Sequence, residues 1–202
     1  MSEKNFAHLS LPLITAETAP VDVRGILASV QLEVDCIPHM YAAMANAPGL
    51  LEAYLDSTQR FRQESSLTLI EQEVVFLVLS VVNDCPYCVA THSGIAVAVA
   101  KAPPEVVEAI RAGKPLSDTK LCALVNFTRA MFNHRGRLSS NELNAFLAAG
   151  YRQTNVLDII LAIAITTLSN YTNHAFQTEL DDELRPFSWT QEIQHARNGR
   201  SS

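Results

Sequence analysis

Cys85 and Cys88 stand three positions apart, and His92 follows four positions after the second. Two thiols at this spacing, opening a helix, can close a disulfide, and the amides of the helix N-terminus stabilise a thiolate there. On a helix His92 lies one turn beyond Cys88 on the same face, so its ring can exchange a proton with that sulfur. The chemistry these residues point to is dithiol–disulfide exchange or thiol-based reduction. A Cys-x-x-Cys pair also serves structural and metal sites, and zinc is the sharpest competing use of Cys85, Cys88 and His92. Structural zinc takes four ligands, usually from a second Cys/His pair. No second pair follows, since His134 and His174 are isolated. The reading is therefore redox, with no metal.

A fourth residue joins from upstream. If the chain turns at Asp84, Glu73 lies roughly 16 Å and His92 roughly 12 Å down two antiparallel helices, at the helical rise of about 1.5 Å per residue. Cys88 lies about 6 Å in and Cys85 is at the mouth. The ordered set Glu73, His92, Cys88, Cys85 forms a proton relay. The carboxylate orients and charges the imidazole, the imidazole draws the proton from Cys88, and Cys85 closes the disulfide. The alternative for Glu73 is a first-turn acid favoured by the helix dipole. Cys36 and Cys122 read as small apolar core residues.

The elements that must hold these groups read as helices throughout. A stripe at Val23, Ile26, Leu27, Val30 and Val34 predicts a helix over 21 to about 34. Short helices follow at 39–47 and from Pro48 to about 62. Thr68 and Glu71 have capping-box spacing and open a helix running to 82. Its β-branched run fits a buried strand on propensity, but the capped start and the length favour helix. The Cys-x-x-Cys helix runs to about 101, and another from Pro103-Pro104 to Gly113. Ser117 caps the next, Ser139 opens one ending at Gly150, and the last runs from Thr154 to about Leu180. The Asn170–His174 segment on it reads as satisfying buried polar groups rather than lining a pocket. Seven glycines and no alternating hairpin pattern argue against a β-fold. The expectation is an all-α domain of about eight or nine helices over 20–185, with an extended or loosely docked arm at 1–19 and a polar tail at 186–202 that frays from Trp189 onward.

With 202 residues, 48% of them hydrophobic and 18% charged, the chain can bury one sizeable core. The net charge of −6, with no Lys/Arg cluster, argues against nucleic acid or an anionic membrane surface as partner. The longest apolar run, 156–168, is too short to span a bilayer and reads as a buried helix. Four cysteines in a chain of this size, with no export pattern at the N-terminus, fit a reducing cytoplasm. So much apolar helix surface is expected to be buried partly between subunits.

At Glu73, the twelve-residue gap, Cys85-x-x-Cys88 and His92, the sequence resembles the carboxymuconolactone decarboxylase superfamily, in its alkylhydroperoxidase AhpD-like branch. The phrase from Leu79 to Cys88 is typical of peroxidase-related members. Similarity continues through 110–118 and 169–174, covering roughly 20–185 in all. The resemblance implies an all-helical AhpD-like fold assembled as trimers or hexamers. It also implies a thiol peroxidase acting on hydroperoxides without a bound cofactor, reduced by an external dithiol or a thiol/disulfide reductant protein. Cys88 is then the peroxidatic thiol. Cys85 is the more exposed partner that donates a proton and resolves the sulfenic acid, with Glu73 and His92 as relay. Helix-dipole reasoning alone favours Cys85 as the more acidic thiol. The best-studied AhpD pattern has a histidine between the cysteines, where this chain has Tyr87. A non-enzymatic redox sensor or exchange protein of the same fold is the alternative function.

Overall fold

The structure is a computed structural model and describes residues 6–190. Among the described residues it holds nine α-helices, one 3-10 helix and no strand, so the all-α expectation is met. The helices are α1 (Val21–Val34), α2 (His39–Met44), α3 (Pro48–Glu64), α4 (Leu69–Val82), α5 (Pro86–Ala98), α6 (Pro104–Arg111), α7 (Thr119–Asn133), α8 (Ser140–Ala148) and α9 (Gln153–Phe176). The 3-10 helix spans Asp182–Phe187.

Helix α4 is the axis of the bundle and packs against α5, α6, α7 and α9. Its run Val74–Leu79 is buried on every side, which is why the sequence there shows no amphipathic stripe. Burial of each such side chain stabilises the fold by about 1.5–3 kcal/mol. The helical outcome is set at its start, where Thr68 Oγ1 accepts from the Glu71 amide at 3.3 Å and Glu71 Oε2 accepts from the Thr68 amide at 2.8 Å. This reciprocal cap satisfies two donors that a helix end otherwise leaves open. A second such box, Ser139 with Glu142, opens α8. The cap of α7 is Asp118, whose carboxylate accepts from the Leu121 amide at 2.9 Å, not Ser117. Asp118 sits where its oxygen reaches the third amide of the turn.

Helix α9 packs against α2, α3, α4, α5 and α7. It is long and apolar enough to cross a membrane by length and composition. Yet it carries Asn155, Ser169, Asn170 and Asn173 buried in the protein. It ends at Phe176, four residues short of the expected Leu180, because Gln177 adopts a left-handed conformation (φ 48°) that stops the helical ladder.

The described part of the arm is pinned to the bundle. The Leu9 amide donates to the Ala175 carbonyl at 2.8 Å and the Ile14 amide to the Ala42 carbonyl at 3.0 Å. Trp189, expected in a fraying tail, is buried, and its indole N–H donates to the Arg111 carbonyl at 3.3 Å. Arg111 in turn donates to the Ser188 carbonyl (2.9 Å) and the Ser93 hydroxyl (3.3 Å). This strap lies on α5, where Phe187 covers Gly94 so closely that a Cβ there would stand 3.3 Å from the ring. The remainder of the expected tail, 191–202, lies outside the described residues.

Candidate active site

The turn between α4 and α5 presents the two cysteines. Asp84 takes a left-handed conformation (φ 53°), which an aspartate tolerates, and reverses the chain. Cys85 is the N-cap of α5 and Pro86 its first residue, a position that needs no amide donor. Cys88 therefore falls in the first turn, where the unpaired amides of the helix end favour negative charge. Both thiols are free and buried, Cys85 at 1% and Cys88 at 2% relative exposure. Cys85, expected to be the more exposed partner, is no more exposed than Cys88. What distinguishes the two is access, because Cys85 lines a cleft of about 1040 Å³ whose walls do not include Cys88. Asn83, Tyr87, Tyr171, Asn173, His174 and Leu180 also line it, with Phe6 and Ala7 of the arm.

Glu73 and His92 meet as the depth arithmetic requires, with His92 Nδ1 at 2.9 Å from Glu73 Oε2. The pair is enclosed. Glu73 is 1% exposed, and its other oxygen is held by the Arg62 guanidinium. Arg62 also donates to Gln72 Oε1 at 3.1 Å and lies 4.9 Å over the Phe76 ring. The Phe76 ring stacks on the imidazole of His92 with centroids 4.8 Å apart. Burial pushes the Glu73 carboxyl up, but the hydrogen bond and charge of His92, and then Arg62, outweigh it and hold it below the ordinary carboxylate range. Arg62, absent from the sequence reading, sits eleven residues before Glu73 on a different helix and had no local signal.

No direct hydrogen bond joins His92 to Cys88 among the described residues. The hydrogen bond that His92 makes is to Glu73, and neither sulfur is among its partners. The ring stacks on Phe76. Cys88 is served instead by Cys85 and by α9. The Asn173 side-chain amide donates to Cys88 Sγ at 3.2 Å. The Cys88 thiol is held below its ordinary value, chiefly by the S–H of Cys85 donated to it. Burial opposes this, and hydrogen bonds from Ser169, Asn173 and Asn170 add to it. Cys85, the donor, is pushed up correspondingly by that bond and by burial. The local electrostatics thus rank Cys88 as the more acidic thiol of the pair, against simple helix-dipole ranking.

The Asn170–His174 segment is therefore part of the site. It lines the cleft and reaches both sulfurs, whereas the sequence reading preferred buried-polar satisfaction. Asn173 Oδ1, buried, has no hydrogen-bond partner among the described residues. His174 Nε2 lies 3.3 Å from the Asp84 carbonyl. Tyr87, between the cysteines, is committed elsewhere. Its hydroxyl donates to Asp181 Oδ2 and accepts from the Met40 amide at 3.5 Å, tying α5 to the strap and to α2. Among the described residues no group of three or more His, Cys, Asp or Glu side chains is arranged to hold a metal ion.

Residues 48–130 match the Carboxymuconolactone decarboxylase family. No curated protein sequence matches the chain. Among solved structures, the alkylhydroperoxidase AhpD core of an uncharacterized peroxidase-related protein from Ralstonia eutropha JMP134 is similar with a TM-score of 0.76. It is 21% identical, over 86% of this chain and 93% of that one. A peroxidase-related protein from Silicibacter sp. TM1040 is similar at 0.74 and 19% identity, over 91% and 96%. The debrominase Bmp8, in a variant bound to 2,3,4-tribromopyrrole, is similar at 0.67 and 14% identity, over 89% and 96%. At these identities the likeness is one of fold.

Proposed function

We propose that this chain, which matches the carboxymuconolactone decarboxylase family over residues 48–130 and has an AhpD-like fold, is a thiol-dependent hydroperoxide reductase with Cys88 as attacking thiolate and Cys85 as resolving thiol. The observation that carries the reading is the asymmetry of the pair: one sulfur receives the hydrogen bonds of Cys85 and Asn173, the other supplies one and faces the cleft. Cys88 thiolate attacks the terminal oxygen of ROOH, the O–O bond breaks, and alkoxide leaves to be protonated as ROH. Cys88 becomes a sulfenic acid. Cys85 then attacks that sulfur, displaces hydroxide, which takes a proton to leave as water, and closes the disulfide. An external dithiol, small or carried on a protein, returns both sulfurs to thiols. The dithiol alone carries the electrons, and no further cofactor is invoked.

A cleft of about 1040 Å³ lies at the upper end of small-molecule sites. With walls from Pro86, Tyr87, Tyr171 and Leu180, it is roomy enough to bring an organic hydroperoxide to the dithiol from the Cys85 side, where Asn173 in its wall bonds to Cys88. Glu73 and His92, bonded between α4 and α5, hold these two helices in register. The exposed apolar side chains Leu157, Ile160 and Tyr171 on α9 support assembly as a homo-oligomer. A reducing compartment such as the cytoplasm keeps the resting dithiol reduced.

The test is consumption of cumene hydroperoxide with excess dithiothreitol, on the parent and on Cys88→Ser. Turnover by the parent that is lost in the variant supports the reading. Consumption at the parent rate by Cys88→Ser overturns it. A reversible disulfide with negligible turnover in both moves the dithiol to sensing or exchange. If the parent instead debrominates a bromopyrrole and ignores peroxide, the same two-electron dithiol chemistry serves reductive dehalogenation.

A further inference from the structure

The resolving step needs a base on the side of the pair where Cys85 meets the cleft. Cys85 holds its proton firmly: it donates that proton to Cys88 and lies in a buried environment. Once Cys88 has been oxidised, its sulfur no longer carries the negative charge that held this proton, and Cys85 must lose it to become a nucleophile. His92 is engaged by Glu73 and stacked under Phe76 on the inner side of the pair. On the outer side, His174 lines the same cleft as Cys85. Its imidazole is oriented by the carbonyl of Asp84, the residue before Cys85, at 3.3 Å.

We propose that His174 is the acid–base catalyst of disulfide closure. It takes the proton from Cys85 and returns it to the hydroxide displaced from Cys88. The inference rests on the peroxidase reading for its oxidant, but the closing step itself is common to any oxidation of this dithiol. In balance, Cys85–SH and neutral His174 give Cys85 thiolate and imidazolium. The thiolate attacks the sulfur of Cys88–SOH, forming S–S and breaking S–O. The departing hydroxide takes the imidazolium proton and leaves as water, so His174 ends neutral. The groups that face this imidazole support an ionisation coupled to the thiol. Cys85 raises its basicity most, burial opposes, and the Asp84 carbonyl and carboxylate raise it further. The arm residues Phe6 and Ala7, which also line the cleft, bring no charge. His174 is exposed, so replacing it leaves the core intact.

The experiment is single-turnover oxidation by hydrogen peroxide of the parent, His174→Gln and His92→Gln. Sulfenic acid is trapped by dimedone, and the disulfide is counted by mass spectrometry. General acid–base groups contribute about 10²–10⁴-fold. His174→Gln should therefore close at least about a hundredfold more slowly, and dimedone adduct should build up on Cys88. Closure in the parent should accelerate with rising pH through one imidazole inflection that His174→Gln lacks. Closure of His174→Gln at the parent rate, or loss of the inflection in His92→Gln alone, overturns the proposal. If peroxide oxidises neither thiol in the parent, the peroxidase reading fails by itself. Diamide then tests His174 on its own, because Cys85 must deprotonate to displace the hydrazide from Cys88. Equal diamide closure in parent and His174→Gln also overturns it.

Discussion

Replacing Asn173 by leucine keeps the bulk of the side chain and removes the N–H that points at Cys88 Sγ from 3.2 Å. A hydrogen bond to a charged group is worth about 1.5–3 kcal/mol, and one pKa unit is about 1.4 kcal/mol. Loss of the donor alone should therefore raise the Cys88 thiol by about 1–2 units. Cys85, Ser169 and Asn170 still serve the sulfur, which places the shift near the lower end, about one unit. Below the inflection the thiolate fraction then falls about tenfold, while the more basic thiolate gains nucleophilicity with a Brønsted slope of about 0.4–0.5, leaving a net loss of about three- to fourfold in the rate of attack. The assay is a pH titration of ultraviolet thiolate absorbance, the Cys88 step being the one missing from Cys88→Ser, alongside the pH profile of peroxide reduction. A Cys88 step at the same pH in Asn173→Leu, with the protein folded by circular dichroism, would refute the claim that α9 holds the thiolate.

The same geometry makes three further predictions. Glu73→Gln leaves Arg62 without its buried partner, and thermal and urea unfolding near neutrality should show a loss of about 3 kcal/mol, near the bottom of the range for a broken buried pair because Arg62 is 26% exposed. The folded Glu73 carboxyl lies below its ordinary value, so its stabilisation is present above the unfolded value, about pH 4.3, and disappears as pH falls through the folded one; the variant should show a flatter acid limb than the parent. Tyr87→Phe removes the hydroxyl that Asp181 accepts from, and should cost about 1–3 kcal/mol in urea denaturation and increase proteolysis of the strap around 181–189. Trp189→Ala empties a buried site and should cost about 3–5 kcal/mol by the same denaturation measurement, which a frayed tail residue would not do.

Much of the frame was legible because it is written locally. The capping box at Thr68 and Glu71, and Pro86 directly after Cys85, act over three or four residues, so they fix α4, α5 and the hairpin between them. The rise per residue along those two helices brought Glu73 and His92 to one level. What was not legible depends on contacts between distant segments. Asn173 and His174 reach the sulfurs from a helix some eighty-five residues downstream, and polar residues late in an apolar helix carry no period that separates pocket lining from internal satisfaction. Arg62 turns a relay carboxylate into an ion-paired one, and only the packing of α3 on the hairpin shows it. Helical spacing set His92 one turn from Cys88, but its stacking on Phe76 is made between helices and carries no signal in that spacing. Trp189 looked like tail because its partner, the Arg111 carbonyl, is a helix end seventy-eight residues earlier.

The central claim is that Cys85 and Cys88 act as one two-electron dithiol with Cys88 attacking first. The most direct measurement is intact-mass and peptide analysis after a single equivalent of cumene hydroperoxide, without reductant, on the parent and on Cys85→Ser. The account predicts that the parent loses two hydrogens with a bond linking Cys85 to Cys88, while Cys85→Ser gains one oxygen on Cys88. Oxygen appearing on Cys85 in Cys88→Ser at the parent rate, or a parent left unmodified by the peroxide, would contradict it.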